Sequence, residues 1–186
     1  HHSVSCRTIN FSPSGQTLYT SSLDKSVCVV NSCGKVTWSA CDAHGILNVS
    51  SIEPIDVNVF ATGDEGGRIK IWDVRQRVSI AELSAQEDYV AAMTVGDSQS
   101  LLFSASGDGT LATYNLKQRK LFWKSACMED ELLSVEVMKN ERKIVTGSQS
   151  GVINIWECEK SDDCLPERFV GHPESIQSLV KVDEHT

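Results

Sequence analysis

The sequence predicts an all-β fold built from one unit that recurs about four and a third times along 186 residues. Three observations carry that expectation. A spacing of 42 residues recurs from end to end, apolar residues alternate with polar ones inside each spacing, and turn-forming clusters break the chain every eight to ten residues. No segment holds a helical period of 3.6 residues over three turns, so helices are not expected.

The repeat is read from four columns. Val30, Trp72, Tyr114 and Trp156 form an apolar or aromatic column, and Asn31, Asp73, Asn115 and Glu157 follow it as an acid or amide column. Thr20, Thr62, Ser104 and Thr146 form a hydroxyl column. Gly67, Gly109 and Gly151 form a glycine column in which the first unit has Lys25. In the first unit the strands are CRTINF, TLYTSS, SVCVVN and KVTWSA, separated by the turn compositions SPSG, LDK and NSCG. The third strands of the four units show the alternation best, at Val27/Val29, Ile69/Ile71, Leu111/Thr113 and Ile153/Ile155. Four antiparallel strands per unit are expected.

Composition narrows the functional classes. Hydrophobic residues make up 40% and charged residues 23%, enough to bury a core. Lys plus Arg is 17 against 25 for Asp plus Glu, a net charge of −8 that argues against wholesale phosphate binding. No apolar run approaches the roughly 18 residues of a membrane span, and no membrane or secretory targeting is expected. The seven cysteines include no C-x-x-C pair and no histidine at ligand spacing, so they are expected to be small half-buried strand residues of a reducing compartment, without metal or disulfides. Sequons at Asn10 and Asn48 are read as chance matches.

GDEGGRIKIWD, SGDGTLATYN and GSQSGVINIWE resemble the ends of WD40 repeats, and Ala43-His44 and Gly171-His172 resemble their Gly-His openings. The resemblance covers the whole chain and implies a β-propeller in which each repeat gives three strands of a blade and the following stretch closes it. Units fall at about 1–42, 43–84, 85–127 and 128–170, with a partial repeat at 171–186, in a single partial propeller domain. WD40 propellers usually close with seven blades, so the chain is expected to be part of a longer ring, short by roughly a hundred residues. The family's buried tetrad links an opening histidine, a strand hydroxyl, a turn aspartate and the tryptophan. The structural residues this implies are His44, Thr62, Trp72, Asp24, Asp108, Trp156 and His172, with Gly66 and Ser150 in place of the turn acid elsewhere. On that reading no unit has the complete set.

A narrower resemblance, running in order from HHSVSCRTINFSPSGQTLYTSSLDKSV to RFVGHPESIQSLVKVDE, is to a nucleolar or nuclear branch of WD40 proteins, especially its plant form. It implies a factor in ribosomal RNA maturation with ribosome-assembly proteins as partners. The plant members are also similar to substrate receptors of the cullin-4 ubiquitin ligase. Such receptors dock on the damaged-DNA-binding adaptor through a WD-x-R ending, which Trp72, Asp73 and Arg75 supply. Just past a strand end, Arg75 would offer its fork of donors to partner carbonyls or carboxylates. A plainer role for it is pairing with a neighbouring turn.

No catalytic constellation stands out. GSQSG at Gly147–Gly151 has Gln149 where a nucleophile elbow needs serine, and SGDGT around Asp108 lacks the lysine and helix of a phosphate loop. His44 and His172 are expected to be buried structural histidines, and no cofactor or small-molecule substrate is implied. A propeller enzyme would require convergent titratable groups with shifted pKa values in the central channel. Arg68/Lys70/Arg75/Arg77 and Lys117/Arg119/Lys120/Lys124 are basic clusters, the second containing Phe122 and Trp123. Basic residues with aromatics could stack RNA. The expectation is instead solvated lysines and aromatics packed between blades, with direct RNA contact not favoured. Glu87-Asp88 and Glu129-Asp130-Glu131 lie 42 residues apart and would ring one face with negative charge, a complement for a basic protein.

Overall fold

The structure, a computed structural model, describes residues 2–138, 141–157 and 165–182. The described residues hold sixteen strands in four antiparallel sheets of four, each sheet formed by consecutive strands. The first blade comprises β1 (Cys6–Phe11), β2 (Thr17–Ser22), β3 (Val27–Asn31) and β4 (Val36–Ala40). The second comprises β5 (Val49–Pro54), β6 (Val59–Asp64), β7 (Arg68–Asp73) and β8 (Ser79–Ser84). The third comprises β9 (Val90–Val95), β10 (Leu101–Ser106), β11 (Leu111–Asn115) and β12 (Lys120–Lys124). The fourth comprises β13 (Leu132–Met138), β14 (Lys143–Ser148), β15 (Val152–Glu157) and β16 (Glu167–Val170). No helix of the described residues is long and apolar enough to cross a membrane. This all-β architecture is a partial β-propeller.

The innermost strands β1, β5, β9 and β13 are successive neighbours around a channel. Each carries a bulge at the same place, between Cys6 and Thr8, Val49 and Ser51, Val90 and Ala92, and Leu132 and Ser134. A bulge strengthens local twist, which lets flat hairpins become propeller blades. The core lies between blades. Tyr19, Trp38, Phe60 and Trp72 pack between blades one and two, with ring centroids 5.0–6.3 Å apart. Aliphatic residues led by Ile69, Ile71 and Leu102 fill the second junction. Trp123 meets Trp156 edge to face at the third.

The glycine column has a steric reason. Gly67, Gly109 and Gly151 take φ of 76°, 74° and 82°, and a Cβ on any of them would lie within 2.4 Å of a backbone oxygen of the next loop. Lys25 holds the same left-handed turn with φ 64°. Beyond β16 no strand occurs among residues 171–182, yet this segment docks on blade four as blade three docks on blade two. Ser134 Oγ donates to the Ile176 carbonyl at 2.9 Å, as Ser50 Oγ donates to that of Val90 at 2.8 Å.

Candidate functional site

Blade two holds a closed polar network. Trp72 Nε1 donates to Thr62 Oγ1 at 2.7 Å, leaving the Thr62 hydroxyl proton for His44 Nε2 at 2.7 Å, so His44 Nδ1 donates to Asp64 Oδ2 at 2.9 Å. All four residues are buried. Asp64 also accepts from the backbone N–H groups of Gly66 and Arg68 at 2.8 and 2.9 Å and from Arg68 Nε at 3.0 Å. Burial opposes its ionisation, but these donors outweigh burial and hold the carboxyl below its usual range. The expectation that no unit has a complete tetrad is therefore corrected. The acid comes from the last residue of β6, two positions before the expected column, because Asp64 folds back over the turn that Gly66 leaves open.

The other blades vary this network. In blade one, His2 Nε2 lies 2.8 Å from Thr20 Oγ1 and Nδ1 lies 2.7 Å from Ser26 Oγ, which in turn bonds Asp24. In blade three, Gln86 replaces the histidine: Ser104 Oγ donates to its Oε1 at 2.6 Å, and its Nε2 donates to the carbonyls of Ser104 and Thr110 at 3.1 and 3.0 Å. Thr110 donates to Asp108 at 2.6 Å. Sequence reasoning missed Gln86, although one 42-residue step from His44 lands on it. In blade four the same step lands on Met128, and Trp156 Nε1 donates to Thr146 at 3.0 Å. His172, expected to be buried, is exposed, because no strands like β6 and β7 follow it among the described residues.

Several cationic side chains of the two basic clusters are structural, among them Lys124, which was expected in solvent. Lys70 Nζ donates to the Ala43 carbonyl at 2.9 Å, and Lys124 Nζ donates to the equivalent carbonyl of Ala85 at 2.6 Å. Arg119 donates to Ile80 O at 2.7 Å. Conversely, Phe122 is not packed between blades: on outermost β12 it is 64% exposed and Leu121 beside it is exposed, while Trp123 turns inward. The cysteines also depart from expectation. Cys28 is buried, but Cys6, Cys33, Cys41 and Cys127 are free and exposed, three of them in loops where no neighbouring blade covers them; Cys158 and Cys164 lie outside the described residues. Among the described residues no cluster is composed to hold a metal ion. The sequon amides are engaged, Asn10 donating to Glu53 at 2.8 Å and Asn48 to Glu65 at 2.9 Å.

Trp72, Asp73 and Arg75 diverge in role. Trp72 points into the core. Asp73 is buried and accepts from Arg75 Nε at 2.8 Å, Arg75 Nη2 at 2.6 Å and Arg75 N at 2.9 Å. These bonds pull the Asp73 carboxyl down to about 2. The Arg75 side chain is 66% exposed, so Asp73 fixes two donors of the fork while the outer edge faces solvent.

The two ends of the blade array differ in charge. The loops that precede β5, β9 and β13 bond to the turns after β6, β10 and β14, through Glu65 N to Asn48 O, Gly107 N to Tyr89 O and Gln149 N to Glu131 O. They gather Glu87, Asp88, Glu129, Asp130 and Glu131 at one end, where Tyr89 also donates to Glu131 at 2.8 Å. Arg75, Arg77, Lys117 and Arg119 occupy loops at the other end. Register places Asn10, Glu53, Thr94 and Glu136 at one level of the channel. Burial first, then the nearby Glu136, push the Glu53 carboxyl up to about 8, and burial raises Glu136.

Sixteen short strands in successive four-stranded sheets, with a complete histidine, hydroxyl, acid and tryptophan network in blade two, define a WD40 blade array, and the WD domain, G-beta repeat model matches residues 1–31. The chain is similar to WD40-repeat proteins and, among them, to WD repeat-containing protein 55. It is 38% identical to that protein of Arabidopsis thaliana over 98% of this chain and 52% of the relative, and 35% identical to that of Homo sapiens over 99% and 48%. The Dictyostelium discoideum homolog is 33% identical over 100% of this chain and 44% of its own length. The chain spans about half the length of the curated relatives it matches.

Proposed function

We propose that the chain is part of a non-catalytic protein-interaction scaffold that works in the nucleolus, in ribosomal RNA maturation. The observation that carries this reading is the acidic end of the blade array. Glu87, Asp88, Glu129 and Glu131 stand exposed on adjacent blades of a rigid frame, a complement for basic assembly proteins. The end-to-end likeness to WD repeat-containing protein 55, whose resemblance implies this role, supports it. Glu53 and Glu136 are the convergent carboxyls that a propeller enzyme would need. The amide of Asn10 and the backbone N–H of Val95 already engage Glu53, which favours a role in joining blades. Sedimentation of the tagged parent protein through a sucrose gradient tests the scaffold reading: co-migration with pre-ribosomal particles supports it, and migration with free protein alone refutes it.

A second reading rests on Arg75. Clamped by Asp73 with its outer edge exposed, its guanidinium is pre-organised to meet a carbonyl or carboxylate of the cullin-4 adaptor, making the parent a ligase substrate receptor. Co-purification of the adaptor, lost in Arg75→Ala, is the expected result of that reading. The two roles are compatible, because they use opposite ends of the blades. Direct RNA contact would fall on Phe122 and its basic neighbours, and ultraviolet crosslinking that maps RNA to this strand would revise the protein-only assignment.

A further inference from the structure

Blades two and three each seat one of their own lysines in the same cleft. Lys70 Nζ sits on the carbonyl of Ala43, the residue before His44, and Lys124 Nζ sits on that of Ala85, the residue before Gln86. Lys124 is also 3.7 Å from Asp108. Blade four has the same cleft, lined by Met128, Asp130, Leu132 and Asn154, without a lysine in it. Two 42-residue steps from Lys70 lead to Asn154, which is 2% exposed and whose Oδ1 has no hydrogen-bond partner. Arg168, opposite Asn154 in register and at the position of Lys124, also lines this cleft, but it is exposed and leaves Asn154 Oδ1 without a partner. Asp130 supplies the carboxylate: burial opposes its ionisation, but its bonds with Ser148 and Ser150 hold it charged.

We propose that the blade-four cleft binds a lysine side chain of a basic protein partner. The four-carbon stem lies along Met128 and Leu132, and the ammonium donates to Asn154 Oδ1 and meets Asp130, filling in trans the cleft whose counterparts Lys70 and Lys124 fill in cis through backbone carbonyls. Methionine at the family's histidine position gives the cleft a flexible apolar wall in place of a hydrogen-bonding ring. This assignment rests on the acidic end being a partner surface and names the side chain it takes.

The test follows the three methionine methyl resonances of the 13C-methyl-labelled chain during titration with Nα-acetyl-lysine methylamide, with the norleucine analogue as the uncharged isostere. Met128 should shift with lysine and not with norleucine, and Met93 and Met138 should stay still. A fluorescein-labelled twelve-residue Lys/Gly peptide gives affinities by anisotropy. Asn154→Leu should weaken it about tenfold, Asn154→Asp should tighten it several-fold, and Asn154→Lys should fill the cleft as Lys70 does, abolishing the Met128 shift while keeping the chain folded. Equal Met128 shifts with both ligands, or unchanged affinity in Asn154→Leu and Asn154→Lys, would overturn the proposal. If those two variants bind the peptide normally while Glu87→Lys/Glu131→Lys does not, the acidic end is a partner surface and the cleft is not its lysine site. If wild type does not bind at all, both readings fall.

Discussion

Thr62 has one hydroxyl and two buried neighbours that depend on it. Thr62→Val keeps the shape but strands the Trp72 N–H and His44 Nε2, so it should cost about 2–4 kcal/mol. Thr146→Val strands only Trp156 and should cost about 1–2 kcal/mol. Urea unfolding of the two variants checks the order. At this level the sequence was partly legible. His44, Thr62 and Trp72 fall in columns because strand register is rigid. Asp64 and Gln86 did not announce themselves, since a turn lets an acid two positions early swing onto the histidine, and an amide reaches the hydroxyl as well as an imidazole does. Lys124 reads as surface charge because sequence shows no acceptor, while the fold sets a carbonyl beside its ammonium, as it does for Lys70.

Strands were the most legible feature, because period-two alternation and turn clusters both report on the same hairpins. In the first blade β1 to β4 follow the four expected segments to within a residue at each boundary. The outermost strands were less so: alternation in KLFWK marks β12 but cannot say that the neighbouring blade stops short of Phe122. The turns after β2, β6, β10 and β14 allow a paired prediction. Gly109→Ala adds a Cβ about 2.4 Å from the Met128 carbonyl at φ 74° and should destabilise by about 1–3 kcal/mol. Lys25→Gly relieves the same left-handed turn in blade one and should stabilise by up to about 1 kcal/mol. Thermal unfolding of both variants distinguishes this account from one in which the turns are loosely held.

The assembled molecule joins blades through the channel, and Glu53 makes that joining depend on pH. Its folded-state pKa of about 8 lies above the ordinary 4.5, so the folded chain holds a proton that the unfolded chain releases. That contribution is fully present below about pH 4.5 and is lost as pH rises towards 8. Glu53→Gln should flatten this decline, which urea midpoints at pH 5, 6.5 and 8 would measure. The 186-residue chain alone should also self-associate, because Ile9 and Phe11 stand 59% and 61% exposed on β1. Ile9→Ser/Phe11→Ser should shift its sedimentation towards monomer, whereas monomer before and after substitution would show that this face is not adhesive.

The scaffold's central claim is that partners are chosen by the acidic end of the blades. The most direct measurement is quantitative affinity purification with mass spectrometry from cells expressing the parent protein as wild type, Arg75→Ala or Glu87→Lys/Glu131→Lys at matched levels. The account predicts that pre-ribosomal proteins are recovered with wild type and Arg75→Ala and are lost from the charge-reversed variant. Full retention of those proteins by the charge-reversed variant, or their loss from Arg75→Ala alone, would contradict it.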